Sequence, residues 1–154
     1  MLESEPFSAI LIPFMSVNVN KIEMSFKSHL KFTEIGIMIL SFLKNLLAIG
    51  DDDYFKIEIS LREAISNAII HGNRGDSSKL VRITFDWEKS LLRMRIGDEN
   101  PRKVEFAEIL NKIRQNDLLS SSGRGILIIK NYMDRVDFVS TDRGNEMVLE
   151  KRLP

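Results

Sequence analysis

The apolar residues of this chain change their period at Gly75, and that change restricts the fold more than any other feature. Before it the spacing is helical. Ile35, Ile39, Phe42, Leu43, Leu46 and Leu47 recur every three or four residues between Thr33, a candidate N-cap, and Ile49, with Gly50 as the stop. Asp51, Asp52 and Asp53 then offer caps for a second helix from about Tyr54 to His71. After Gly75 the period is two: Val81, Ile83 and Phe85 alternate with Arg82 and Thr84, then Leu92, Met94 and Ile96 with Arg93 and Arg95. The bend Glu88-Lys89-Ser90 makes these two runs a predicted hairpin. A third helix is predicted from about Gly123 to Met133, and a closing hairpin joins Val136–Thr141 to Glu146–Arg152 around Asp142-Arg143-Gly144-Asn145. Near the N-terminus, Ile22–Phe26 reads as a short strand, and Ala9–Phe14 as an edge strand or an arm against another subunit.

Two helices, a hairpin, a helix and a second hairpin predict an α+β fold. The expected architecture is a two-layer sandwich, with a mostly antiparallel mixed sheet covered on one face by helices. A chain of 154 residues suits one such core. The expected division is an arm or edge strand over residues 1–21 and one domain over 22–154.

Charge and composition narrow the function. The 22 basic and 22 acidic side chains cancel, with no basic block long enough to follow a phosphate backbone, so nucleic acid is not an expected partner. Cysteine is absent and there are two histidines, which leaves no thiolate metal site. The longest apolar stretches, Ala9–Val19 and Ile35–Ile49, are interrupted by Pro13 and by Lys44 and Asn45, and both fall short of the ~20 residues a membrane span needs. Glu3 and Glu5 stand where a secretory signal carries positive charge, so the expected location is the cytoplasm.

One stretch carries the chemistry: Leu61-Arg62-Glu63-Ala64-Ile65-Ser66-Asn67-Ala68-Ile69-Ile70-His71-Gly72-Asn73. Residues four apart on a helix lie about 40° from eclipsing, so Glu63, Asn67 and His71 form one slowly rotating polar stripe beside the apolar Leu61, Ala64, Ile65, Ala68 and Ile69. Read plainly, this is an amphipathic helix closed by a Gly-Asn stop in the left-handed conformation. The complete string resembles the N box of the GHKL ATPases, the superfamily of gyrase-type ATPases and histidine kinases. In this form it is most similar to the small serine/threonine kinases that act as bacterial anti-sigma factors.

Two further segments carry the same resemblance in the same order. Arg95-Ile96-Gly97-Asp98-Glu99-Asn100-Pro101-Arg102 stands where the family has an acidic, glycine-bearing turn. Ser120-Ser121-Ser122-Gly123-Arg124-Gly125-Ile126 stands where it has a Gly-rich segment opening a helix. The family likeness extends over nearly everything after residue 50. It implies ATP and Mg2+ as cofactors, with Asp98 as the adenine reader, Asn67 as the magnesium ligand and Glu63 as general base. His71, Gly72 and Asn100 would line the nucleotide, and the amides of Gly123, Arg124, Gly125 and Ile126 would cradle its phosphates. The segment 102–122, with Val104, Phe106, Ile109, Leu110 and Ile113, would form a lid containing a short helix. The resemblance also implies an anti-anti-sigma protein as phosphoacceptor, a sigma factor as the exchanged partner, and a homodimer.

The chain departs from the family at the acidic turn, where Asn100 and Arg102 replace both glycines. If either position needs a positive φ, a non-glycine residue there costs ~1 to 2 kcal/mol, or about tenfold in affinity. Restored glycines would then tighten ATP binding. The departure also motivates a rival reading, a nucleotide-responsive binding module without kinase activity. A histidine-kinase ATPase domain fits less well, because no dimerisation helices or phosphoacceptor segment precede it and His29 is a poor acceptor.

Overall fold

The computed structural model describes residues 14–115 and 121–154. Its strands are β1 (Phe14–Asn18), β2 (Lys21–Lys27), β3 (Leu80–Glu88), β4 (Leu91–Gly97), β5 (Arg135–Thr141) and β6 (Gly144–Arg152). Its helices are α1 (Thr33–Leu46), α2 (Asp51–Asn67), α3 (Phe106–Gln115) and α4 (Ser121–Tyr132), and a π-helical turn, Ala68–Gly72, continues α2. The strands form one sheet in the order β1-β2-β3-β4-β6-β5, and every pairing is antiparallel. Among the described residues the sheet is wholly antiparallel, where the sequence reading expected it mostly so. The cause is the pair of helices between β2 and β3, which returns the chain to the end where β2 finished. There Ser28 N–H donates to the Lys79 carbonyl at 2.9 Å.

Alternation decides which sheet face is covered. Ile22, Met24 and Phe26 of β2, Val81, Ile83 and Phe85 of β3, and Leu92, Met94 and Ile96 of β4 are all buried under the helices. From the helical layer Leu40, Leu43, Ile57, Leu61 and Ile65 reach complete burial, and each such side chain contributes roughly 1.5–3 kcal/mol against exposure. The other face carries Glu23, Arg82, Thr84, Arg95 and Glu146 around an open groove. The β1 strand is an edge; the rest of the expected strand at Ala9–Phe14, and residues 1–13 generally, lie outside the described residues.

Three helix boundaries differ from the sequence reading. Thr33 is not a cap: a 3-10 turn over Leu30–Phe32 leads straight into α1, and Phe32 holds the cap position without a side-chain bond. Gly50 is not the stop of α1. Ala48 takes the left-handed conformation at φ 49, Ile49 N–H donates to the Lys44 carbonyl at 2.9 Å, and Gly50 becomes the N-cap of α2. Ile49 is buried, and that anchor offsets the ~1 to 2 kcal/mol of a non-glycine left-handed residue. The Asp51–Asp53 triplet forms the first turn of α2, and each member pairs with its own lysine: Lys44 at 2.6 Å, Lys56 at 2.7 Å and Lys151 at 3.5 Å.

Candidate functional site

The residue after β4 inherits the strand's alternation. Leu92, Met94 and Ile96 face the helices, so Asp98 does too, and its carboxylate is carried under the π-helical turn with 6 % of the residue exposed. Its Oδ1 accepts from Asn100 N–H at 2.9 Å and from Asn145 N–H at 3.2 Å. Its backbone is held as well: Asp98 N–H donates to the Asn145 carbonyl at 2.9 Å, and Arg82 Nη2 donates to the Asp98 carbonyl at 2.9 Å. Burial pushes the carboxyl above its usual value, against the two backbone N–H groups and the charges of Arg82 and Lys79. Oδ2 faces Gly72, where a Cβ would overlap it together with the carboxyl carbon. Gly72 is therefore needed for close approach. The left-handed residues of this helix end are Arg74 and Gly75, at φ 55 and 72, so the expected Gly-Asn left-handed stop is corrected.

The π turn produces that approach. Asn73 N–H reaches back five residues to the Ala68 carbonyl at 2.7 Å, and the widened turn sets Gly72 over Asp98. Asn73 is itself fully buried. It donates from Nδ2 to the Leu80 carbonyl at 2.9 Å and accepts Glu99 N–H on Oδ1 at 2.8 Å, which fastens the helix end to the acidic turn.

The acidic turn works without its glycines. Among the described residues the positive-φ residues other than glycine are Ala48, Arg74 and Lys89, so neither Asn100 nor Arg102 takes a strained φ. The chain turns instead through two side chains, Asp98 accepting from Asn100 N–H and Asn100 Oδ1 accepting from Arg102 N–H at 3.0 Å. The expected penalty at these positions, and with it the reason for restoring glycine, is withdrawn.

A cavity of about 310 Å³ opens beside Asp98. Asn67, His71, Gly72, Asp98, Asn100, Gly123 and Ile126 line it, among apolar walls that include Ala64, Ala68, Ile96, Val104, Ile109, Ile113, Phe138 and Met147. Glu63, Arg124 and Gly125 are outside that lining. Glu63 instead covers the early turns of α4: a Cβ on Gly125 would overlap its carboxylate. A helix leaves its first four N–H groups without internal partners, and with α4 described from Ser121 the amides of Gly125 and Ile126 lie past that set.

Several residues at the site carried no motif. Asn145 holds the turn from β6, donating from Nδ2 to the Arg102 carbonyl at 2.8 Å and accepting from Ser140 Oγ at 2.7 Å. The sequence reading placed it in a loop, although the hairpin turn is only Asp142-Arg143 and β6 begins at Gly144. Asparagine is disfavoured in strands, but that alone marks no role in sequence, because its burial and its partners belong to the tertiary structure. Lys112, the one lysine or arginine on the cavity lining among the described residues, comes from α3, which covers the expected lid helix.

The donor set suits a nucleotide. Apolar walls meeting one buried carboxylate oxygen match a flat heterocycle that carries an amine. Asn67 Nδ2 is buried with no partner among the described residues, a vacancy in hydrogen bonding that a bound group with polar oxygens would fill. The amide oxygen of the same side chain is a hard ligand suited to magnesium.

Comparison with known proteins agrees with this geometry. The family model of the histidine kinase-like ATPase domain matches residues 35–151. Among similar proteins are the anti-sigma F factors of Bacillus cytotoxicus and Bacillus cereus, each 30% identical over 104 residues, which is 66% of this chain and 71% of theirs. With three quarters of its length covered, the chain belongs to the histidine kinase-like ATPase family.

Proposed function

We propose that this chain is an ATP-dependent protein serine/threonine kinase of the anti-sigma type, which phosphorylates a small anti-anti-sigma protein and regulates a sigma factor by exchanging one partner for the other. The observation that carries the reading is the placement of two carboxylates at separate stations. Asp98 is buried at the apolar cavity, and Glu63 lies over Gly125 near the N-terminal end of α4. A pure binding module needs the first station; phosphoryl transfer also needs the second. The names of the similar proteins support the anti-sigma part.

Magnesium-bound ATP supplies an electrophilic phosphoryl group and a cation that neutralises its charge. Asp98 Oδ2 accepts an amine hydrogen bond and orients the base, while Ile96, Ile126 and Met147 keep water from it. Asn67 presents its amide oxygen to the cation. The first-turn amides of α4 stabilise negative oxygens at the positive end of the helix dipole. Glu63 takes the proton from the attacking serine or threonine hydroxyl as its oxygen bonds to the γ-phosphorus, while the bond from that phosphorus to the bridging oxygen breaks and ADP leaves. A cytoplasmic location and a homodimer accompany this reading; among the described residues no helix is long and apolar enough to cross a membrane. The rival binding-module reading drew on Asn100 and Arg102, and their unstrained backbone removes the strain part of that case.

The test is a paired measurement. ATP or ADP at a hundredfold excess over Kd should stabilise the fold by ~2.7 kcal/mol in thermal melts. Transfer of phosphate from ATP to candidate partner proteins encoded nearby should fall by ~10²-fold or more in Glu63→Gln, with nucleotide binding retained. A melt unmoved by millimolar nucleotide would remove the ATP reading. Equal transfer by wild type and Glu63→Gln would remove Glu63 as the base.

A further inference from the structure

Arg82 lies on the open face of the sheet, away from the cavity, yet its bonds run to the turn that forms the cavity floor. Its Nη2 donates to the Asp98 carbonyl at 2.9 Å and to the Arg143 carbonyl at 3.1 Å, joining the acidic turn after β4 to the β5–β6 hairpin turn. Nη1 stands 3.8 Å from Glu99 Oε1, and the other oxygen of Glu99 accepts Leu80 N–H at 2.7 Å. The direct cross-strand neighbour of Arg82 is Gly97. A Cβ there would meet Glu146 Cγ at 3.3 Å and, in ordinary contact, Nη2 at 3.5 Å and Nε at 3.7 Å, so the guanidinium passes beside Gly97 on its way to Asp98. The side chain is 15% exposed, a large burial for an arginine on an otherwise solvated face.

We infer that Arg82 is a positioning residue for nucleotide binding, one that holds the Asp98 carboxylate in place from the opposite side of the sheet. The inference rests on the nucleotide-site reading and adds to it a residue that no motif contains. A planar guanidinium suits this task because it donates in fixed directions to two carbonyls while staying charged at every accessible pH. Its charge acts on the same carboxylate. The groups that bear on Asp98 are Lys79 before β3 and Arg82 on β3, with His71 of the π turn and Lys112 of α3 on the cavity wall and Glu99 adjacent. Of these, Arg82 is both bonded to the Asp98 main chain and among the charges that favour the ionised carboxylate.

The experiment measures ADP binding by calorimetry in the intact chain, over a pH series from mildly acid to neutral, for wild type, Arg82→Met and Arg82→Lys. Arg82→Met should bind ADP about tenfold more weakly at neutral pH. Its loss of affinity on acidification should also begin at a higher pH, because the cation that favours ionised Asp98 is gone. Arg82→Lys should keep the wild-type acid limb and still bind more weakly, since an ammonium cannot reproduce the guanidinium's directed pair of bonds. It also serves if Arg82→Met does not fold. Unchanged ADP affinity in the variants would overturn the inference. So would weaker binding by Arg82→Met with an unmoved acid limb, which is the signature of a merely structural side chain. If wild type binds no ADP at all, the nucleotide reading falls and this inference with it; if wild type binds and the variants match it, only this inference falls.

Discussion

The two ends of the cavity are built differently. At the Asp98 end, Asp98 is fixed by two N–H groups on Oδ1 and by main-chain bonds to Asn145 and Arg82, and Asn73 ties the π turn to Glu99. At the other end, α3 has no fully buried residue, and the segment before it is joined to the sheet by the contacts of Val104 with Ser140 Oγ and by the bond of Asn145 to the Arg102 carbonyl. On the proposed reading, the acceptor for the base is held in place before a ligand arrives, whereas the α3 side is held by fewer bonds. Preorganisation of this kind lowers the ordering cost of binding at one end and leaves freedom for entry and release at the other.

The largest expected effect comes from disturbing the fixed end at its tightest contact. Gly72→Ala puts a methyl group into the Asp98 carboxylate, and overpacking of ~1 to 3 kcal/mol would weaken ADP binding by up to about a hundredfold in titration calorimetry. Wild-type affinity in that variant would show that the contact yields easily and that the fixed end is not fixed.

Asp98→Asn comes next, with an expected loss of about thirtyfold in ADP affinity at neutral pH, the worth of a ~2 kcal/mol charged hydrogen bond. Burial raises the folded pKa of Asp98 above the ~3.9 of an unfolded aspartate. The stability from this group is therefore fully present below that unfolded value and lost as pH rises through the folded value. At neutral pH the ionised carboxylate costs stability in the ligand-free protein, so Asp98→Asn should melt no lower than wild type while losing its response to ADP. ADP affinity of the wild type should fall as pH drops through the folded value, because the protonated carboxyl is a poorer acceptor. A clear drop in the melting temperature of ligand-free Asp98→Asn would contradict the desolvation argument.

The smallest effect sharpens the comparison at the acidic turn. Replacing Asn100 and Arg102 together by glycine removes the Asn100 Oδ1 bond and adds backbone freedom worth roughly 0.5–1 kcal/mol per residue. Binding of ADP should weaken by about threefold. Tighter binding would mean that the native side chains burden the pocket.

The sequence by itself determined most of the architecture. Alternation in β3, β4 and β6 and helical spacing in α1, α2 and α4 are local consequences of which residues must leave water, so these elements were legible without coordinates. The string from Glu63 to Gly72, with Asp98 and Gly123–Ile126, pointed to the region of the cavity, which Asn67, His71, Gly72, Asp98, Gly123 and Ile126 line and Glu63, Arg124 and Gly125 do not. Tertiary structure decided the rest. The antiparallel sheet depended on where a pair of helices delivers the chain. The roles of Asn73, Arg82 and Asn145 depended on bonds to groups seven to forty-seven residues away, which no local pattern encodes. Gly72 was legible as a glycine but not as a close approach, because the atom that forbids a side chain there belongs to Asp98 on a different element. The replaced glycines of the acidic turn could be judged only from φ, since the same sequence would be strained in a left-handed turn and is relaxed in the turn that Asp98 and Asn100 build with their own side chains.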